Sequence, residues 1–241
     1  MRNKVSFEGW YGGDITHAKA AWTSTNTEML QIKEKMMMQN VTWKDLIHER
    51  AERIPGLLKM LADNEHGTPF ERSLLHFSVT CDTASHIHFL KHRMFSINGE
   101  SARYREYTDD KYYLPVDWPE LAEFALEDMT KVAYDNYHLA IKKLEEDGVT
   151  RKRAKESARY FLPYAIQVNL DMSCNFRTFV HFQKLRNSEH AQLEIREIAQ
   201  EMLRLVQEET NGDYQYSLAA FGLGPLLSEH SESGSTAVNV P

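Results

Sequence analysis

Cysteine is nearly missing: Cys81 and Cys174 are the only two in 241 residues. Two thiols without C-x-x-C spacing cannot form a disulfide framework, and they suit a reducing compartment. With no activating neighbours, both read as buried structural thiols. Long apolar runs are missing too. The longest, Leu218 to Leu227, is broken by Gly222, Gly224 and Pro225 and is too short to cross a bilayer. The opening Met1-Arg2-Asn3-Lys4-Val5-Ser6 lacks a signal-peptide core, so a soluble, cytoplasmic protein is expected. Basic residues are outnumbered 28 to 35, for a net charge of -7. That balance argues against a nucleic-acid coat. The run Arg151-Lys152-Arg153-Ala154-Lys155 reads as a solvated helix start. Neither G-x-G-x-x-G nor the P-loop, G-x-S-x-G nor H-E-x-x-H occurs. His88 and His92 stand one helical turn apart, but no third ligand recurs beside them, so no metal site is expected.

What is present can build a core: 42% of the residues are hydrophobic and 11% are aromatic. Neither repeats nor a low-complexity linker divide the chain. One domain over residues 1–227 is expected, its motifs within about 66–210, followed by a flexible polar tail at 228–241. The first forty residues carry no readable motif, and Met36-Met37-Met38 reads as adaptable core packing. A helix is expected from an Asp117 cap to Gly148, with Leu121, Phe124, Ala125, Met129, Val132 and Ala133 as its apolar stripe. A second follows Ser188, buries Ala191, Ile195, Ile198, Met202 and Leu205, and closes at Asn211-Gly212. Asp82 caps a third through Ile87 and Leu90. Ser73–Thr80 and Tyr164–Asp171 read as strands. Without βαβ alternation, this is an α+β fold.

Two polar clusters carry the chemistry. The first runs from His86 through His88, Lys91, His92 and Arg93 to Ser96, Ser101 and Arg103. Its cations and hydroxyls match an anion: guanidinium as a planar fork, ammonium as a point charge. A solvated helix end explains the same residues equally well. The second holds Arg159, Asn175, Arg177, His181, Arg186 and His190. Arg177 and His181, like Arg186 and His190, are spaced to share a helix face. Arginine within the apolar stretch Phe176–Leu185 is costly unless it meets an anion or a ligand.

At these residues the chain resembles the flavin-dependent thymidylate synthases. Their Arg-His-Arg, seven residues, Ser hallmark is met by Lys91-His92-Arg93, seven residues, Ser101, with Arg103-Tyr104 following. His66-Gly67-Thr68-Pro69-Phe70-Glu71 matches His-x-Thr-Pro-Phe-Glu, and Arg159 to Pro163 matches Arg-x-x-Leu-Pro. Asn175-Phe176-Arg177 matches Asn-x-Arg, and Leu185-Arg186 with His190-Ala191-Gln192 and Glu194-Ile195 matches the last block. The order and spacing hold from about His66 to Arg196.

The resemblance implies a small, mainly antiparallel sheet packed with long helices, and homotetramers with shared active sites. It implies transfer of the methylene of 5,10-methylenetetrahydrofolate to C5 of dUMP, with FAD, reduced by NADPH, supplying hydride to give dTMP. Arg186 is then the catalytic cation. The nucleotide falls to His88, Lys91, Gly99, Glu100, Ser101, Ala102, Arg103, Arg159 and Arg186. The flavin falls to His66, Thr68, Lys91, His92, Arg93, Gly99, Asn175, Phe176, Arg177, His181 and His190. The chain departs from the pattern in having Lys91 for Arg, Gly99 for Glu, His88 for Gln, His181 for Asn and Leu193 for Trp. Those changes keep two alternatives open: another pyrimidine nucleotide such as dCMP or a hydroxymethyl product, and a non-catalytic flavin- or nucleotide-binding relative.

Overall fold

The structure, a computed structural model, describes residues 1–24, 26–39, 51–101 and 103–224. Ala102 and the tail 228–241 lie outside the described residues, as does the end of the Leu218–Leu227 run. Four strands form one antiparallel sheet: β1 (Lys4–Tyr11), β2 (Leu74–Asp82), β3 (Ser96–Gly99) and β4 (Gln167–Cys174), in the order β1-β2-β4-β3. The described helices are α1 (Asp14–Thr23), α2 (Asn26–Gln39), α3 (Ile54–Asp63), α4 (Thr83–Leu90), α5 (Glu120–Glu146), α6 (Arg151–Ala158), α7 (Phe176–Arg186), α8 (Leu193–Glu209) and α9 (Gln215–Ala220). The α+β reading holds. No helix among the described residues is long and apolar enough to cross a membrane.

Alternation in the two central strands decides which face is covered. Leu75, Phe77, Val79 and Cys81 of β2 join Val168, Leu170, Met172 and Cys174 of β4 in the core. Phe179 and Phe182 of α7, with Ile195, Ile198 and Met202 of α8, belong to the same core. The other face stays polar, with His76 against Asp171 at 2.5 Å and Thr80 donating to Asn169 at 2.8 Å. Both cysteines are buried, and burial raises their thiol pKa values, so they are inert packing as expected.

The first forty residues, silent as sequence, supply the edge strand β1 and a clasp. Asp14 accepts from the backbone N–H groups of Tyr216 (2.8 Å) and Ser217 (2.7 Å). His17, fully buried, sits between the hydroxyls of Ser73 (2.7 Å) and Ser217 (2.8 Å). Gly13 makes the approach possible, since a Cβ there would lie 2.3 Å from the Asp213 carbonyl oxygen at a φ of 133°. Met37 and Met38 are exposed and only Met36 packs on the core, which corrects the expected Met packing.

Three other boundaries need correction. Pro119, not Asp117, caps α5, since proline suits the helix edge where no N–H is needed. α8 starts at Leu193 rather than after Ser188, leaving Ala191 ahead of it, and β4 begins at Gln167 because Pro163 holds the preceding turn. The larger surprise is the face of α5. Thr130, Tyr134, Tyr137 and Ile141 are buried, the last three with Ala154 and Ala158 of α6. The expected stripe is exposed instead: Leu121 by 81%, Phe124 by 65%, Met129 and Val132 by 50% each. Asp82 does cap α4, accepting from Ser85 N at 2.8 Å, and Thr150 caps the basic helix α6.

Candidate active site

The motif segments meet around two cavities at the end of α4. Leu90, its last residue, lines one; Lys91, the next, lines the other. The Lys91 cavity, about 420 Å³, is walled by Glu71, His92, Arg93, Asn175, Arg177 and His181. Asn175 caps α7 by accepting from Thr178 N at 2.9 Å, which aims the first turn of that helix. Arg177 and His181 follow on one helix face. Arg177 is not the buried arginine expected: its side chain is 57% exposed and pairs with Glu71 at 2.5 Å. That pair ties the His66–Glu71 segment to α7. Gly67 fits the junction, since a Cβ there would lie 2.6 Å from Arg177 Nε. His66 and Thr68 face a further cavity of about 820 Å³ that also takes in Trp22, Leu57 and Arg72.

His92 is buried and Arg186 half-buried, and Arg186 Nε donates to His92 Nε2 at 3.0 Å. Burial first, then the Arg186 cation, pushes the imidazole pKa down to about 4. His92 is therefore neutral with its proton on Nδ1. Among the described residues no carboxylate pairs with Lys91, Arg93, Arg159 or Arg186, so these charges stand uncompensated. Arg186 ends α7, where the helix dipole favours a cation.

The Leu90 cavity, about 640 Å³, brings together Gly99, Glu100, Ser101 and Arg159 with Tyr107 and Tyr164. Glu100 is held by Arg105 at 2.7 Å and by Asn169, which donates at 2.9 Å. His86, the first residue of the first polar cluster but given no binding role by the resemblance, faces this cavity. It stands one helical turn before Leu90, which lines the same wall, so periodicity was the available signal. Its Nε2 is 3.9 Å from where a Gly99 Cβ would be, and burial lowers its pKa.

Other expected residues lie elsewhere. Phe176 is fully buried among Phe70, Phe179 and Tyr214, because an aromatic side chain following the cap turns into the core. His88 is bonded to Gln192 at 3.1 Å on α4, while His92 lies past the helix end. Arg103 pairs with Glu156 at 3.0 Å. His190 follows the end of α7, which separates it from the helix face of Arg186, and it is exposed.

The profile of the family described as "Thymidylate synthase complementing protein" matches residues 9–210. The chain belongs to that family. Curated relatives carry the name flavin-dependent thymidylate synthase. One from Mycolicibacterium vanbaalenii is 33% identical over 159 residues, 62% of this chain and 64% of its own length. One from Thermosipho africanus is 29% identical over 192 residues, 73% of this chain and 82% of its own. The chain thus spans just under two thirds of the mycobacterial relatives it matches. In fold it is similar to a UMP/dUMP methylase, PolB, from Streptomyces cacaoi, solved bound with 5-Br dUMP. The TM-score is 0.69 at 24% identity, covering 92% of this chain and 95% of that one.

Proposed function

We propose that this divergent thymidylate synthase-complementing family member transfers the methylene of 5,10-methylenetetrahydrofolate to C5 of dUMP, releasing dTMP and tetrahydrofolate, with FAD as its redox group and NADPH as reductant. The observation that carries this reading is the convergence of separate motif segments on two cavities at the end of α4, with the Glu71–Arg177 and His92–Arg186 contacts fastening the segments at the Lys91 cavity.

The residues fit a phosphate-bearing flavin. Lys91 and Arg93 are cations at one cavity with no carboxylate partner among the described residues, Asn175 and His181 add polar edges, and Gly67 leaves backbone where a side chain would collide with Arg177. When bound, the flavin supplies the hydride that completes the transferred group as a methyl. The chain's own residues hold and polarise. Arg159 and Ser101 would take the nucleotide phosphate. Arg186, a fixed cation half-removed from water, would favour ionisation of the uracil ring nitrogen and so raise electron density at C5. Neutral His92 holds that guanidinium without cancelling its charge.

A second copy of the chain is part of the reading. The exposed Leu121, Phe124, Met129 and Val132 on α5 suit burial in a homotetramer whose sites are shared between subunits. The Streptomyces neighbour adds UMP to the nucleotides to be tried. The test is mass spectrometry of the product after incubation with FAD, NADPH and methylene-tetrahydrofolate, with dUMP, UMP and dCMP in parallel. A methyl mass on dUMP supports the proposal. A hydroxymethyl mass, or exclusive use of UMP or dCMP, re-aims it. Flavin binding without any product turns the chain into a binding relative.

A further inference from the structure

We infer that a separate cavity, between the loop ahead of α5 and the start of α8, binds an organic cation through a guanidinium or ammonium group. The cavity holds about 450 Å³, and Tyr164 forms the wall between it and the Arg159 cavity. Three carboxylates line it: Asp82, Asp117 and Glu194. Among the described residues, no Lys, Arg or His lines its wall. Asp82 is spoken for by the α4 cap and by Asn3. Glu194 is buried and accepts from Gln192 through Oε2 at 2.7 Å, with no partner at Oε1 among the described residues. Asp117 is exposed at the rim and has no partner there either.

Independent of this charge, Tyr113 points to a ligand. It lines the cavity and is 4% exposed, and its hydroxyl is the one buried side-chain polar atom left without a hydrogen bond among the described residues. An orphaned hydroxyl is costly to bury, and a ligand N–H satisfies it. Trp118 and Tyr164, both exposed, add aromatic faces that attract a delocalised cation. Among the described residues no group of three acidic, His or Cys side chains is gathered tightly enough for a metal ion. The acids are spread around the cavity, which suits a planar or multi-donor cation better than a point charge. This site does not depend on the nucleotide chemistry.

Two sources can offer such a group: a free small molecule, or an arginine or lysine of a second copy. The experiment titrates the full-length protein with agmatine, and with butylurea as its neutral counterpart, by calorimetry, and measures oligomer dissociation in parallel. Agmatine should bind and butylurea should not. Asp117→Asn should weaken agmatine about tenfold and Tyr113→Phe about fivefold, both keeping their fold. No agmatine affinity, with an Asp117→Asn oligomer loosened about tenfold, also supports the cation site and assigns its occupant to a second copy. Equal binding of butylurea, or no agmatine binding with an unchanged oligomer, overturns the inference.

Discussion

Arg186 Nε meets His92 Nε2 at 3.0 Å across a sequence separation of 94, so the end of α7 is fastened to the segment after α4 by a cation and a neutral ring. His92→Leu should leave the fold intact while lowering turnover about 10²-fold, because the guanidinium loses its orienting acceptor. The ring's pKa is depressed to about 4, so its acceptor stays available above that pH and is lost as pH falls through it. Turnover against pH should therefore lose its acid limb near 4 in His92→Leu. Arg186→Ala should abolish turnover with flavin retained; full activity would remove Arg186 from the reaction.

Ser101, Arg159 and His86 line one cavity from three different segments. Ser101→Ala should weaken nucleotide affinity about tenfold and Arg159→Ala about a hundredfold, the larger loss going with the charged donor. His86→Ala should raise the nucleotide KM with little change in kcat. Titration calorimetry with dUMP separates these from defects in flavin loading.

Gly67→Ala tests the junction between the motif segments. The backbone φ there is ordinary, so the cost arises where the new methyl meets Arg177. Arg177 is exposed and can swing away, so the melting temperature should change little. The Glu71 pair should break, and flavin absorbance after purification should fall. A large loss of stability with flavin retained would place Arg177 in the scaffold instead.

Much of this was legible. Asp82, the buried cysteines, the turn at Asn211-Gly212 and the alternation in β2 are local signals, and the structure keeps them. Phe176 was not legible as core, since a motif match says that a position recurs and not where its side chain turns. The α5 stripe misled because periodicity marks an apolar face without saying what covers it, and within one copy the covered face is Tyr134, Tyr137 and Ile141. β1 and the Asp14–His17 clasp were invisible because their partners lie far along the chain.

That uncovered face gives a direct test. Phe124→Glu should shift the protein toward smaller species in sedimentation velocity, with helical content unchanged, and turnover should fall with it if sites are shared. An unaltered distribution would leave α5 facing water.

Asp14 and His17 titrate in opposition. Burial raises Asp14 from 3.8 to about 6, so the folded state holds a proton that the unfolded state releases, and stability rises as pH falls through that window. Burial lowers His17 from 6.5 to about 3, so the unfolded state takes up a proton and stability falls as pH drops below 6.5. Between about 4 and 6 the two nearly cancel. Asp14→Asn, which can keep an acceptor for Tyr216 and Ser217, should expose the histidine alone. Its unfolding free energy should drop by about 1.4 kcal/mol per pH unit across that window, relative to the parent. Parallel pH profiles would show that the two groups are not opposed.

The clasp also orders events in time. The bond from Asp14 to Ser217 N closes a loop of 203 residues, and β1 must wait for β2, whose first partner lies about sixty residues on. Bringing such distant segments together costs chain entropy before any contact repays it. On the ribosome α1 therefore emerges long before α9, and the bonds that Asp14 and His17 make to Tyr216 and Ser217 wait until that helix has been made. The last native contacts to form should be those that join α1 to α9.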